Sequence, residues 1–212
     1  MSRKPVLASA AAAAAFLCSA APAAPETAQR LPTIPPADYT AEQEQAASAF
    51  AAARHQPVFG PFEPLLYSPQ LMTAARAMGD YLRFRPSIGT TLSELAILLT
   101  ARHWSQDYEW SVHYPLALKA GIPAAVADAI GADQRPEAMS DEQRIVYDFT
   151  RELQRDQRVS DATYARAEQR FGRQGVVDLA GLCGYYTLLA MELNLAQYPV
   201  PPGSALLPRL PR

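Results

Sequence analysis

Gln106, Glu109 and His113 follow one another at intervals of three and four residues. On a helix turning about 100° per residue that spacing places them in one narrow sector, with Trp110 on its flank and Tyr108 and Val112 opposite. A Glu and a His four residues apart can hold each other and share a proton, which is the equipment of acid–base chemistry. The same pair also serves as a plain, partly exposed ion pair, and the spacing alone does not separate the two. A third acid lies upstream: Glu94 is the one charged residue in the apolar run LSELAILLTA. An ionised carboxylate there is costly unless it is paired, hydrogen-bonded or protonated. Two readings stand for it. Glu94 fills the last place of a Thr91-Leu-Ser-Glu94 capping box and can bond back to the Thr91 amide, or it belongs to a site. The chain turns near Trp104-Ser105, with Glu94 ten residues before Trp104 and His113 nine after. An antiparallel helix pair therefore brings the two to similar height, and three titratable groups are expected to converge in an accessible hollow with mutually shifted pKa values. Glu109 and His113 also have metal-ligand spacing, but His103 points elsewhere and no third ligand is evident, so neither a metal nor another cofactor is assigned.

The elements that must position these groups read as helices throughout. Thr40-Ala-Glu-Gln43 is a capping box ahead of an Ala-rich helix through about Arg54, and Ser68-Pro69 opens a helix ending near Arg85-Pro86. The Thr91 box opens a helix to about His103, buried on most sides because its apolar residues run round nearly the whole circumference. Ser105 is expected to cap the next, from Gln106 through Pro115 to Gly121. A short helix follows Pro123 and stops at Gly131. Ser140-Asp-Glu-Gln143 opens another through Arg155, Ser160-Asp161 one closed by Gly172, and the longest runs from about Gln174 to Gln197. No segment alternates with period two between hairpin turns, so the fold class is all-α, one helical domain with short loops. Cys183, Tyr185 and Tyr186 read as core, and Asn194 as satisfying backbone. His55 has no recognisable partner, and Arg83, Arg85 and the run from Arg151 to Arg158 read as solvated faces.

The chain has 212 residues, 49% hydrophobic and 19% charged, with a net charge of −2. That suits one globular domain and lacks the basic surface a nucleic-acid binder needs. Residues 1–23 carry Arg3 and Lys4, an apolar run from Val6 to Cys18, and Ala21-Pro22-Ala23, the three parts of a secretory signal peptide. The run is mostly Ala and short for a bilayer span, so no membrane contact is expected once it is removed, and the location is periplasmic or secreted. The expected organisation is a signal peptide at 1–23, a Pro-rich connector at 24–39, the helical domain at 40–198 and a Pro-rich tail at 199–212 that is extended and free to lie on a neighbouring subunit. Cys18 leaves with the signal, and the single remaining thiol, Cys183, excludes an internal disulfide and a Cys-x-x-Cys centre.

The stretch ELAILLTARHWSQDYEWSVHYPLALKAGIP resembles the carboxymuconolactone decarboxylase family, which also contains the alkylhydroperoxidase D-like proteins. The family pattern is a Glu in an apolar helix, a turn, then a Cys-x-x-Cys-x-x-x-His helix. Here Glu94 matches the acid, Gln106 and Glu109 stand where the cysteines would, and His113 matches the His. The likeness extends over Thr40 to Pro202. It implies an alkylhydroperoxidase D-like helical domain and a homo-oligomer, trimer or hexamer. The departure is the sulfur: without a thiolate there is no sulfenic acid and no disulfide to recycle, so the family's peroxide chemistry is not expected. The cysteine-free branch resembles the decarboxylases proper, which use neither metal nor organic cofactor. That resemblance implies a lyase acting on a small carboxylated or lactone-like substrate. In it His113 is the general acid or carboxylate contact, Glu109 its orienting partner and Glu94 a proton donor of raised pKa, with Gln106 bonding a substrate oxygen and Trp110 forming a pocket wall. The other reading is an exported, non-catalytic binding or scaffold member of the family.

Overall fold

The computed structural model describes residues 29–210; the signal peptide expected at 1–23 lies outside them. Among the described residues there are eight α-helices and no strand: α1 (Ala41–Arg54), α2 (Phe62–Leu65), α3 (Pro69–Phe84), α4 (Thr90–His103), α5 (Asp107–Lys119), α6 (Ala124–Gly131), α7 (Asp141–Arg155) and α8 (Asp161–Ala196). The helix starts follow local chemistry. Thr40 and Ser140 each accept from the amide three residues on, while Gln43 and Gln143 bond back, so both boxes are complete. Ser160 caps α8 by accepting from the Thr163 amide. Within α8 the backbone leaves helical values at Gly172, φ 68 and ψ 174, so α8 is two helical segments that meet at that glycine, as the sequence predicts.

The centre of the fold is α4. Every residue from Leu92 to Arg102 is buried, because α5, α7 and α8 pack round it and α6 closes one end. The expected Thr91 box does not form. The helix begins two residues earlier with Gly89 at the N-cap, and the Thr91 hydroxyl donates to the Ala120 carbonyl at 2.6 Å, tying the start of α4 to the end of α5. Between α4 and α5 the chain reverses at Ser105, which takes a positive φ of 49°. Ser105 is not the cap of α5 but accepts from the Arg102 guanidinium at 2.6 Å. The capping falls to Gln106, whose Oε1 accepts from the amides of Tyr108 and Glu109.

The C-terminal tail is extended and is tied to its own chain at three points. The Leu207 amide donates to Asp107 at 3.0 Å, Arg209 pairs with the same carboxylate at 2.6 Å, and the Pro208 carbonyl accepts from Arg102 at 2.8 Å.

Candidate functional site

The α4–α5 hairpin brings Glu94, Glu109 and His113 together. His113 Nδ1 lies 2.7 Å from Glu94 Oε2, and His113 Nε2 lies 3.5 Å from Glu109 Oε2 across one turn of α5. With the Glu94 carboxylate accepting, the ring proton sits on Nδ1, and Nε2 is left facing Glu109. The three residues are 7%, 3% and 2% exposed respectively. Burial pushes the Glu109 carboxyl above its ordinary range, reinforced by the Glu94 charge and opposed by His113 and Arg83. Glu109 Oε1 has no hydrogen-bond partner. A carboxyl whose ionisation burial disfavours, set beside an imidazole nitrogen, is an arrangement suited to holding and passing a proton. The bond from Glu94 to Nδ1 fixes the orientation of the His113 ring.

The expected accessible hollow is not found around these groups. A hollow of about 940 Å³ lies instead between the start of α5, the end of α8 and the tail. Gln106 and Asn194 line it; Glu94, Glu109 and His113 do not. The sequence spacing sets the helix face correctly, but whether a face meets a void depends on packing from α3 and α8, which α5 alone does not encode. Gln106 shares the face with Glu109, yet its amide is already committed: Nε2 donates to Asn194 Oδ1 at 2.9 Å and Oε1 serves the cap. Asn194 in turn donates to the Trp104 carbonyl at 3.1 Å. Trp110 is buried with its ring tilted on Tyr114 at 5.5 Å, against Gly131 and within reach of no side chain there because glycine has none.

Two residues read from sequence as core or solvated face also meet the site. The Tyr186 ring stands edge-on to His113, centroids 5.1 Å apart, with its buried hydroxyl unpartnered. Burial raises its pKa well above the ordinary value. Arg83, in the last turn of α3, is half-buried and couples electrostatically to Tyr186, Glu94 and Glu109. No local motif announces either residue; both reach the site through helix packing. Cys183 is no substitute thiol. It is buried, pushed up to about 11 by that burial, and its Sγ lies 3.7 Å from the Thr150 hydroxyl. Among the described residues no three His, Cys, Asp or Glu side chains are arranged to hold a metal ion.

No protein-family model matches the sequence, and no curated protein does. A solved structure does match: the alkylhydroperoxidase AhpD core of an uncharacterized peroxidase-related protein from Ralstonia eutropha JMP134, with a TM-score of 0.66 at 17% identity, over 82% of this chain and 93% of that one. The fold is alkylhydroperoxidase D-like. At that identity the likeness speaks for architecture, and the chemistry rests on the residues present.

Proposed function

We propose that this chain is a cofactor-independent acid–base enzyme resembling carboxymuconolactone decarboxylase, acting on a small carboxylated or lactone-like molecule. The observation that carries the reading is the row of Glu94, His113 and a Glu109 whose carboxyl burial pushes above its ordinary range, with glutamate and glutamine standing where the redox thiols of the fold would be. In a decarboxylation the carbon–carboxylate bond breaks, carbon dioxide leaves, and the electron pair stays on the substrate as a dienolate that must be protonated. Glu109 gives the proton for that step to the substrate from its unpartnered Oε1, His113 Nε2 holds the other carboxyl oxygen, and Glu94 fixes the ring so that Nε2 faces the acid. Substrate must displace packed side chains to reach the relay, and opening motions of that kind commonly limit turnover. Peroxide reduction through thiols is set aside, since Gln106 and Glu109 carry no sulfur and Cys183 is a buried thiol.

The burial of all three groups favours a second reading, an exported family member that binds or scaffolds without catalysis. Export follows from the signal-like residues 1–23, and a homo-oligomer is part of both readings.

Assays of wild type against a panel of acidic lactones, over a range of pH, separate the two. The acid–base reading expects turnover with a pH-dependent kcat/KM, and its loss in His113→Ala with helical circular dichroism retained. Turnover unaffected by that substitution would remove His113 from the mechanism, and a panel without any turnover would favour the binding reading.

A further inference from the structure

The hollow between α5, α8 and the tail ends one helical turn short of Glu109. Gln106 lines it and precedes Glu109 by three residues on the same face of α5. Two contacts fix how α5 and α8 run past each other. Gln106 meets Asn194 at 2.9 Å, and His113 meets Tyr186 with ring centroids 5.1 Å apart. The two helices are therefore antiparallel here, and Glu109 and Ala190 share the level between those contacts, each one turn from both. Ala190 offers that level a single methyl group, and Glu109 Oε1 is buried there without a hydrogen-bond partner. The two side chains that separate this level from the hollow are held unequally. Gln106 is buried, and its Oε1 is fixed by the cap of α5. Asn194 is exposed and held by two neutral hydrogen bonds, accepting from Gln106 and donating to the Trp104 carbonyl at 3.1 Å. Such bonds exchange for bonds to water at small net cost, so Asn194 is the part free to swing.

We propose that the substrate docks in this hollow and reaches Glu109 Oε1 past Asn194, which is the gate of the route. At about 940 Å³ the hollow has the size of a small-molecule site. Its wall suits an oxygen-rich molecule. The amides of Gln106, Asn194 and Gln197 and the Ser204 hydroxyl supply N–H and O–H donors to carbonyl oxygens. The charged groups on the wall, Asp107 and Arg209, pair with each other at 2.6 Å. With that charge balanced, the hollow favours a lactone carbonyl over a highly charged anion. When Asn194 swings out, Gln106 Nε2 loses its acceptor and takes a substrate oxygen in its place, one turn from the acid. The route rests on the acid–base reading for its purpose, but not for its existence as a passage.

A thiol placed at the inner end of the route tests it. The full chain carrying Glu109→Cys, or separately Ala190→Cys so that the test survives a poorly folded first variant, is treated in its native state with iodoacetamide, a small neutral reagent. Peptide mass spectrometry follows each cysteine, with the buried Cys183 as internal reference. Adding Asn194→Ala is expected to speed alkylation of either reporter by about tenfold, the factor for losing roughly one hydrogen bond. Ser204→Trp, which fills the hollow, is expected to slow it. Leu82→Ala, which loosens α3 against Gly181 on the far side of α8, is expected to leave it unchanged. Reporter rates that Asn194→Ala does not raise or Ser204→Trp does not lower would overturn the route. So would equal acceleration by Leu82→Ala, or acceleration shared by Cys183, which would mean that the helices part as a whole. A gate that behaves as expected in a protein without turnover would overturn the acid–base reading alone. Turnover that depends on His113 while the reporters ignore Asn194 would overturn the route alone.

Discussion

Glu109 carries the largest electrostatic burden in the site, because it is a fully enclosed carboxyl with one oxygen unpartnered and the other shared with His113. A group harder to ionise in the folded chain than in the unfolded one binds more protons when folded, so its contribution to stability falls as pH rises. The fall begins near the unfolded carboxyl value of about 4.3 and continues until Glu109 ionises within the fold, with a slope limited to about 1.4 kcal/mol per pH unit for one group. In Glu109→Gln that dependence is removed. Urea unfolding at stepped pH is expected to show the variant gaining on wild type as pH rises from 4 towards neutrality; parallel curves would mean that Glu109 ionises as freely folded as unfolded. At this scale the sequence was informative where partners share a helix and silent where they do not. The spacing of Glu109 and His113 is visible on one helical turn. The approach of Tyr186 to His113 is set by how α8 packs over the hairpin, a contact between residues 73 positions apart, and Tyr186 carries no local signature.

Helix starts and breaks were the most legible features, since they depend on a few adjacent residues. The boxes at Thr40 and Ser140 form with both reciprocal bonds. The Thr91 box satisfies the same pattern and fails because Gly89 starts the helix two residues early, after which the hydroxyl of Thr91 donates to the Ala120 carbonyl. That failure has a functional consequence: it releases Glu94 from capping and leaves it to His113. Gly172 bends α8 at a backbone conformation open almost only to glycine, with nothing within 4 Å of where a Cβ would stand. Gly172→Ala is therefore expected to cost about 1–3 kcal/mol of stability through backbone strain alone. A chemical-denaturation midpoint equal to wild type would show that α8 straightens without penalty.

The whole molecule presents an apolar seam that its own packing does not cover. Along α8, Val177, Gly181, Gly184, Leu188, Met191 and Leu195 recur at alternating intervals of four and three, and Val177, Met191 and Leu195 are exposed. Such a 3.5-residue period suits helix-to-helix contact between copies, in keeping with the homo-oligomer proposed above. Sedimentation of wild type is expected to give a trimer or hexamer, and Met191→Lys with Leu195→Lys to shift it towards monomer; a monomeric wild type would contradict it. The all-α class and single helical domain were legible from capping and periodicity, because both are local. Access to the relay was not, because it depends on how three helices close over one face. Acid–base catalysis here requires a neutral acid beside His113 in a site without sulfur. Infrared spectroscopy at neutral pH measures this directly: a carbonyl stretch of a protonated carboxylic acid is predicted in wild type and absent in Glu109→Gln. A spectrum without that band, or a band that survives the substitution, would contradict it.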